Sequence, residues 1–303
     1  MELAIIAFRQ ILTMVMLMIL GVICFKLKII DEETNKKLSN FLLMIITPAV
    51  IFMSYQRSFE EELLTGLFIS LGLASFSFLL SILISHLVYK DKKGKSFEIE
   101  RFSCVYSNCG FIGIPLIQGV FGSEGVFYLT AYLTVFNLLL WTHGIITMSG
   151  DRGVFSFKKA LISPAILSTI FGFLFFILRI EIPSFFSNPI LLIGDMNTPL
   201  AMIVAGISIS KANIGRILKD VNVYKICFMR LLIIPSLIII AFSFLPFSRI
   251  LTGTSIVAAS CPIGASLILF SYRYEKDYLY AAELFAATTI FSMITIPFLM
   301  IFI

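Results

Sequence analysis

The feature that most constrains this chain is a series of long apolar segments joined by short polar connections. About 20 helical residues, each rising 1.5 Å, cross the roughly 30 Å of hydrocarbon in a bilayer. Of the 303 residues, 59% are apolar and only 14% are charged, a balance that no soluble domain of this length needs for its core. The pattern predicts an all-α polytopic membrane protein with ten transmembrane helices. The ten spans are residues 3–25, 38–56, 63–89, 102–121, 125–148, 160–179, 187–209, 221–244, 250–271 and 278–303.

The distribution of positive charge predicts the orientation of the spans. Most of the 23 Lys and Arg residues lie in the connections that follow spans 1, 3, 5, 7 and 9. Cytoplasmic connections carry an excess of Lys and Arg, so this side is expected to face the cytoplasm. The sequence therefore predicts a multi-pass protein of the cell membrane with both termini extracytoplasmic.

Two pairs of prolines inside the spans indicate an internal repeat. Pro48 in span 2 matches Pro199 in span 7, and Pro115 in span 4 matches Pro262 in span 9, about 150 positions apart in each pair. Each pair is separated by five spans, an odd number, so the second half must enter the membrane from the opposite side. We therefore expect two inverted five-helix repeats. The repeats are residues 1–150 and 151–303.

The stretch SNCGFIGIPL, residues 107–116, places helix-breaking residues inside span 4. Proline removes a backbone donor and glycine lowers the resistance to unwinding, and Gly264 follows Pro262 in span 9. In hydrocarbon an unwound stretch persists only against protein or a water-filled cavity. The half-helix after each break directs unpaired N–H groups and partial positive charge into that cavity, which favours an anion. The alternative is that these residues only allow close helix packing.

Seven short motifs in spans 2, 4, 5, 7, 8, 9 and 10 share their order and spacing with one family of compact carriers. They are TPAVIF, SNCGFIGIPL, FNLLLWTHG, NTPLAMIVAG, RLLIIP, SCPIGAS and FSMITIPFL. On these motifs the chain resembles the bacterial branch of the auxin efflux carrier family. The resemblance implies two inverted five-span repeats, similar in fold to bile-acid sodium symporters and sodium/proton antiporters. It also implies a scaffold domain of spans 1, 2, 6 and 7 and a transport domain of spans 3–5 and 8–10, with broken spans 4 and 9 crossed.

The resemblance further implies a function and a set of contact residues. Members of the family move organic anions such as indole acetate, malate or malonate. The chain is therefore expected to be a secondary transporter of a small carboxylate that works by alternating access, with a homodimer formed through the scaffold. The matching motifs place the substrate contacts at Asn108, Gly110, Gly113, Pro115, Asn137, Ser260, Pro262, Gly264 and Ser266.

Ionisable side chains inside a span usually face the bundle interior or a water pathway. Arg230 in span 8 and Glu283 in span 10 lie at similar depths from the cytoplasmic side, so an ion pair between them is expected. The alternatives are that Arg230 extends to the lipid headgroups and that Glu283 couples transport to protons. Asp195 either caps the helix that contains Pro199 or takes part in coupling.

Other functional classes are disfavoured by what the sequence lacks. It contains no HExxH, GxSxG or GxxxxGK[ST] motif, so we expect neither an enzyme nor an ATP-driven pump. The five cysteines show no CxxC spacing, so no disulfide, metal or other cofactor is predicted. An anion channel or a membrane receptor is the remaining alternative to a carrier. The anion, the direction of movement and coupling to protons or sodium stay open at this point.

Overall fold

The computed structural model describes residues 2–89, 96–151 and 161–303, and the predicted all-helical class is confirmed there. Residues 90–95 and 152–160, which carry several of the basic residues used to predict orientation, lie outside the described part of the chain. The helices, in chain order, are α1 (Glu2–Lys26), α2 (Glu32–Ser54), α3 (Glu61–Val88), α4 (Phe97–Val105), α5 (Cys109–Ser149), α6 (Pro164–Ile177), α7 (Ser184–Ser210), α8 (Ile214–Ile217), α9 (Val221–Ser243), α10 (Arg249–Ser260), α11 (Ser266–Arg273) and α12 (Tyr278–Leu299).

Polar and apolar side chains are distributed as in a protein that is embedded in a lipid bilayer. On α12, Ile294 is 74% exposed, whereas Thr288 and Thr289 are buried. Their hydroxyl groups donate to the carbonyls of Leu284 and Phe285 one turn earlier, which satisfies them without water. In the described ranges, seven helices are long and apolar enough to cross a membrane. They are α1, α2, α3, α5, α7, α9 and α12.

The number of long helices differs from the ten predicted spans because several spans are fused or interrupted. Helix α5 has 41 residues, about twice what one crossing needs, and its backbone leaves the helical conformation at Gly122 (φ 66°, ψ −158°). Helices α4, α10 and α11 are each too short to cross a bilayer alone. Ten crossings, the two inverted repeats and their boundary therefore stay predictions.

Three helices contain a widened, π-helical turn directly before a proline. The turns Leu42–Ile46, Cys109–Gly113 and Met229–Ile233 each end two residues before Pro48, Pro115 and Pro235, respectively. Proline lacks an N–H group and its ring obstructs the carbonyl one turn earlier, so an extra residue in that turn relieves the conflict. These prolines therefore reshape their helices without ending them. A fourth such turn, Leu140–Gly144, has no proline after it.

Helix α1 packs on the second half of α7 with backbone against backbone. A Cβ atom added at Gly206 would collide with the carbonyl group of Met18, and one added at Gly21 would collide with that of Ile203. Small residues permit this close approach between helices in membranes. Helices α1 and α7 therefore cannot slide past each other without breaking the contact.

Helices α2 and α7 meet beside the matched prolines Pro48 and Pro199. The hydroxyl group of Thr47 donates to Oδ1 of Asn197 at 3.5 Å, and both side chains are buried. The two elements that the sequence pairs by their prolines thus lie in contact.

Candidate functional site

The two interruptions predicted in spans 4 and 9 are found, and they lie against each other. The chain is extended between α4 and α5 and again between α10 and α11, and the two stretches form an antiparallel bridge through Ser107 and Ile263. We call these stretches, residues 106–108 and 261–265, the crossing. Across it, the amide of Asn108 donates to the carbonyl of Pro262 at 2.7 Å. The amide of Gly264 donates to the carbonyl of Tyr106 at 3.1 Å.

These bonds explain how an unwound backbone is tolerated at membrane depth. Through these two bonds each stretch supplies a partner for a polar group of the other, so the bonded groups are not exposed to hydrocarbon. A third element contributes, because the amide of Ile263 donates to the hydroxyl group of Thr288 on α12 at 3.2 Å. Space is limited at Gly264, because a Cβ atom would lie 3.1 Å from the carbonyl oxygen of Ser107.

Asn108 in the crossing and Ser266 directly after it each have a buried polar side-chain atom without a hydrogen-bond partner among the described residues, and the Oγ of Ser107 is a third such atom. Asn108 is only 6% exposed, and its Nδ2 is buried and unpaired. The Oγ of Ser266, at the start of α11, is also buried and unpaired. A buried donor without a partner is unfavourable by about 1–3 kcal/mol and is rare in native proteins. Donors on both interrupted helices are therefore left for an acceptor that the described residues do not supply.

The predicted glycine contacts have different surroundings. No atom lies within 4 Å of the position that a Cβ atom would take at Gly110, so there is open space beside the first turn of α5. At Gly113 the same position lies 3.5 Å from the Sγ of Cys261, so this glycine packs against the other stretch of the crossing. Gly110 is thus the glycine beside which a ligand atom has room.

Three other predicted contacts direct their polar groups to protein. The carbonyl of Pro115 accepts from the Nε2 of Gln10 on α1 at 3.0 Å. The hydroxyl group of Ser260 donates to the carbonyl of Ile256, and the amide of Asn137 donates to the carbonyl of Leu133, one turn earlier in each case. The structure therefore concentrates the unpaired donors of the predicted set at Asn108 and Ser266.

A narrow cavity of about 10 Å³ adjoins the start of α5, between α1 and α12. It has the volume of about one water-sized sphere, and two hydroxyl groups interrupt its apolar lining. It is lined by Ile11, Met14, Met18, Ile112, Thr289, Ser292, Met293 and Ile296. Within the described ranges, no group of three or more His, Cys, Asp or Glu residues could hold a metal ion.

The expected ion pair between Arg230 and Glu283 is wrong, as is the extension of Arg230 to the headgroups. Arg230 is 1% exposed. Its Nη1 donates to the carbonyl of Cys104 at 3.2 Å, and its Nη2 donates to those of Ala259 and Cys261 at 2.8 and 3.0 Å. Helices α4 and α10 end at these positions and leave carbonyls without helical partners, and a guanidinium group can donate to several of them at once.

Glu283 has a different cationic neighbour. It is 3% exposed, and its Oε2 lies 3.4 Å from the Nε of Arg216 on the short helix α8. Arg216 is half-exposed and also lies 3.8 Å from a carboxylate oxygen of Asp277. Asp195 is exposed at the end of the first half of α7, and the cap predicted for it is wrong, because the next helical stretch begins after Met196 without a side-chain cap.

The two histidines of the chain lie side by side, a pairing that the sequence did not indicate. The rings of His86 on α3 and His143 on α5 have centroids 6.0 Å apart. The hydroxyl group of Tyr106 donates to the carbonyl of Leu139 at 2.9 Å and lies 2.9 Å from Nδ1 of His143. A hydroxyl group has one proton, so when it donates to the carbonyl, Nδ1 of His143 is the donor in the second contact. Tyr106 thus ties the crossing to the π-helical turn of α5.

Comparison with known proteins relates the sequence of this chain to membrane transporters. A family model described as "membrane transport protein" matches residues 6–156 and 152–300. An uncharacterized transporter of Methanothermobacter thermautotrophicus is 23% identical over 295 residues, which cover 95% of this chain and 96% of that protein. An uncharacterized transporter of Methanocaldococcus jannaschii is 23% identical over 299 residues, which cover 94% of this chain and 95% of that protein.

Proposed function

Because this chain belongs to the auxin efflux carrier family of membrane transport proteins, we propose that it is a secondary transporter that moves a small organic anion across the cell membrane. The proposed substrate is a carboxylate such as malate, malonate or an auxin-like acid. It binds at the crossing and reaches each side of the membrane by alternating access.

The observation that carries this proposal is the pair of unpaired donors at Asn108 and Ser266. They lie on different interrupted helices and are both buried, so one ligand with several acceptor oxygens can satisfy both. Helices α5 and α11 begin at the crossing, and the N-terminal end of a helix carries about half a positive charge. Donors and partial charges together favour a carboxylate over a neutral ligand.

The backbone of the crossing completes the proposed site. Gly110 leaves space beside the first turn of α5, while Gly113, Pro115, Pro262 and Gly264 shape the two stretches so that they approach each other. Asn137 and Ser260 are kept in the proposed site because of their positions in the matching motifs. Their described hydrogen bonds are to their own helices. Among the proposed contacts, Asn108 and Ser266 therefore rank first, because they have unpaired donors.

Alternating access needs two bodies that move relative to each other. The proposed scaffold is α1, α2, α6 and α7, and the tight backbone contact at Gly21 and Gly206 supports its rigidity. The proposed transport domain holds the crossing together with α3, α9 and α12. We further propose inverted repeats, extracytoplasmic termini and a homodimer formed through the scaffold.

Coupling to an ion would use Glu283, the buried carboxylate that lies beside Arg216. A carboxylate at this position can bind a proton, and no cluster of acidic residues in the sequence marks a sodium site. We therefore favour proton-linked or uncoupled movement over sodium coupling. Asp195, which is exposed, is the weaker coupling candidate.

A transport assay of the purified protein in liposomes separates a carrier from the alternatives of an anion channel or a receptor. Preloading the liposomes with unlabelled malate, malonate or indole acetate should accelerate uptake of the labelled compound, and uptake should saturate. A flux that rises linearly with concentration would indicate a channel. Binding without any flux would indicate a receptor.

The site itself is tested by removing the two donors. Asn108→Ala and Ser266→Ala should each weaken carboxylate binding about 10- to 100-fold, the effect of losing one hydrogen bond of about 1.5–3 kcal/mol to a charged group. Ser243→Ala is the matched control, because its exposed hydroxyl group donates only to the carbonyl of Ile240. Unchanged affinity in both donor variants would exclude the crossing as the site.

A further inference from the structure

We propose that Arg230 determines the charge preference of the crossing by neutralising the helix ends that would repel an anion. This inference rests on the proposed function, because it concerns the same site. Arg230 does not touch the ligand in this proposal. It is a specificity-determining residue that acts through the electric field at the crossing.

The argument begins with the four helix ends that meet there. Helices α5 and α11 begin at the crossing, and α4 and α10 end at it. Each beginning carries about half a positive charge and each end about half a negative charge, so the four contributions sum to roughly zero. A crossing of interrupted helices alone would therefore have little preference for an anion.

Arg230 changes this balance because it binds only the negative ends. Its three hydrogen bonds go to the carbonyls of Cys104 at the end of α4, of Ala259 at the end of α10, and of Cys261 just beyond it. One full positive charge offsets two half charges of opposite sign. The positive ends of α5 and α11 are then left to act on the ligand.

None of the ion pairs among the described residues involves Arg230, so its charge has no acidic partner there. Among the described residues its Nε has no hydrogen-bond partner. In the low dielectric of a buried site such a charge acts over a longer range than it would in water.

Arg230 lies in a turn of the same kind as the turn with which α5 begins. It lies in the widened turn Met229–Ile233, which precedes Pro235 in α9. Turns of this kind interrupt the regular register of a helix and are frequent at functional sites. A purely structural role, in which Arg230 only caps two helices, would use the hydrogen bonds but not the charge.

Two variants separate these roles. Arg230→Lys keeps the charge with fewer geometrically fixed donors, whereas Arg230→Gln keeps amide donors without the charge. The probes are malate, malonate and indole acetate, each with its uncharged amide, and the readout is the ratio of carboxylate to amide affinity measured by binding to purified protein. Arg249→Gln is the matched control, because it removes the same charge from the exposed, far end of α10.

We expect Arg230→Gln to lower the carboxylate-to-amide ratio at least about tenfold, or ~1.4 kcal/mol, and Arg230→Lys and Arg249→Gln to keep it within about threefold. An unchanged ratio in Arg230→Gln would overturn the proposal. A carboxylate-to-amide ratio that falls in folded Arg230→Lys would also overturn it. This second test is the decisive one if Arg230→Gln does not fold. If wild-type protein binds none of the carboxylates, the proposed function fails and not this inference alone.

Discussion

The amide of Asn108 donates to the carbonyl of Pro262 at 2.7 Å, and this bond joins the two interrupted helices of the protein. It lies next to the unpaired Nδ2 of Asn108, so the backbone of this residue holds the crossing together while its side chain is left for a ligand. The two backbone bonds of the bridge are thus made within the protein, while the side chain of Asn108 keeps an unpaired donor. This division explains how one short stretch can be both rigid and available for binding.

The close approach at Gly264 predicts a loss of stability when this residue is changed to alanine. In Gly264→Ala the new Cβ would lie 3.1 Å from both the Ser107 carbonyl oxygen and the Oγ of Ser266, and the carbonyl belongs to the bridge. The neighbouring backbone must move, and we expect destabilisation of about 1–3 kcal/mol. Thermal unfolding in detergent measures it. A melting temperature equal to that of the wild type would show that the bridge is not tight.

Gly110→Ala offers the opposite expectation. No atom lies within 4 Å of its Cβ position, so the variant should unfold at the same temperature as the wild type. If the open space holds part of the ligand, however, the added methyl group should weaken carboxylate binding several-fold. Thermal unfolding and ligand affinity are measured on the same sample. Unchanged affinity would remove this space from the proposed site.

The close contact between α1 and α7 predicts that a larger residue at this contact prevents the two helices from packing. In Gly206→Ala the Cβ would overlap the carbonyl group of Met18, which belongs to the backbone of the facing helix and cannot rotate away. We expect destabilisation of about 3 kcal/mol or more, seen as a lower yield of folded protein and a lower melting temperature. Gly72→Ala on α3 is the control, because its Cβ would meet no atom within 4 Å. Equal behaviour of the two variants would contradict the close packing.

The sequence allowed the interruptions of spans 4 and 9 to be predicted because their cause is local. In span 9, Pro262 and Gly264 lie within the extended stretch itself. In span 4 the same residue types indicated the right segment, but the extended stretch at Ser107 lies before the widened turn that Pro115 causes. The widened turns before Pro48, Pro115 and Pro235 have the same local origin.

Partners that come from other helices could not be predicted in the same way. Arg230 was expected to pair with the carboxylate of Glu283, which has the opposite charge and lies at a similar depth. It instead binds carbonyls of α4 and α10, because the ends of those helices are brought to it by the fold. The adjacency of His86 and His143 likewise depends on how α3 packs on α5. Depth along a helix is readable from the sequence, but the direction of a side chain around it requires the packed structure.

The hydroxyl group of Tyr106 predicts a separation between stability and binding. Tyr106→Phe leaves the carbonyl of Leu139 and the Nδ1 of His143 without their partner, and we expect destabilisation of about 1–3 kcal/mol. The backbone carbonyl of Tyr106 still accepts from Gly264, so carboxylate affinity should stay within about threefold of the wild type. Tyr224→Phe, which removes an exposed hydroxyl group, is the control. A large loss of affinity at unchanged stability would place the hydroxyl group in the binding site.

Glu283 supplies a test of proton coupling that does not depend on substrate affinity. Its carboxylate is buried and its Oε2 contacts Arg216, a half-exposed side chain that Asp277 also approaches. If the proton enters here, Glu283→Gln should abolish uptake driven by a pH gradient across the liposome, because the amide cannot ionise. Exchange of substrate at equal pH on both sides should persist. Arg216→Gln, which removes the neighbouring charge but keeps the carboxylate, should shift the pH dependence without abolishing it. Wild-type uptake by Glu283→Gln at every imposed gradient would refute coupling through this residue.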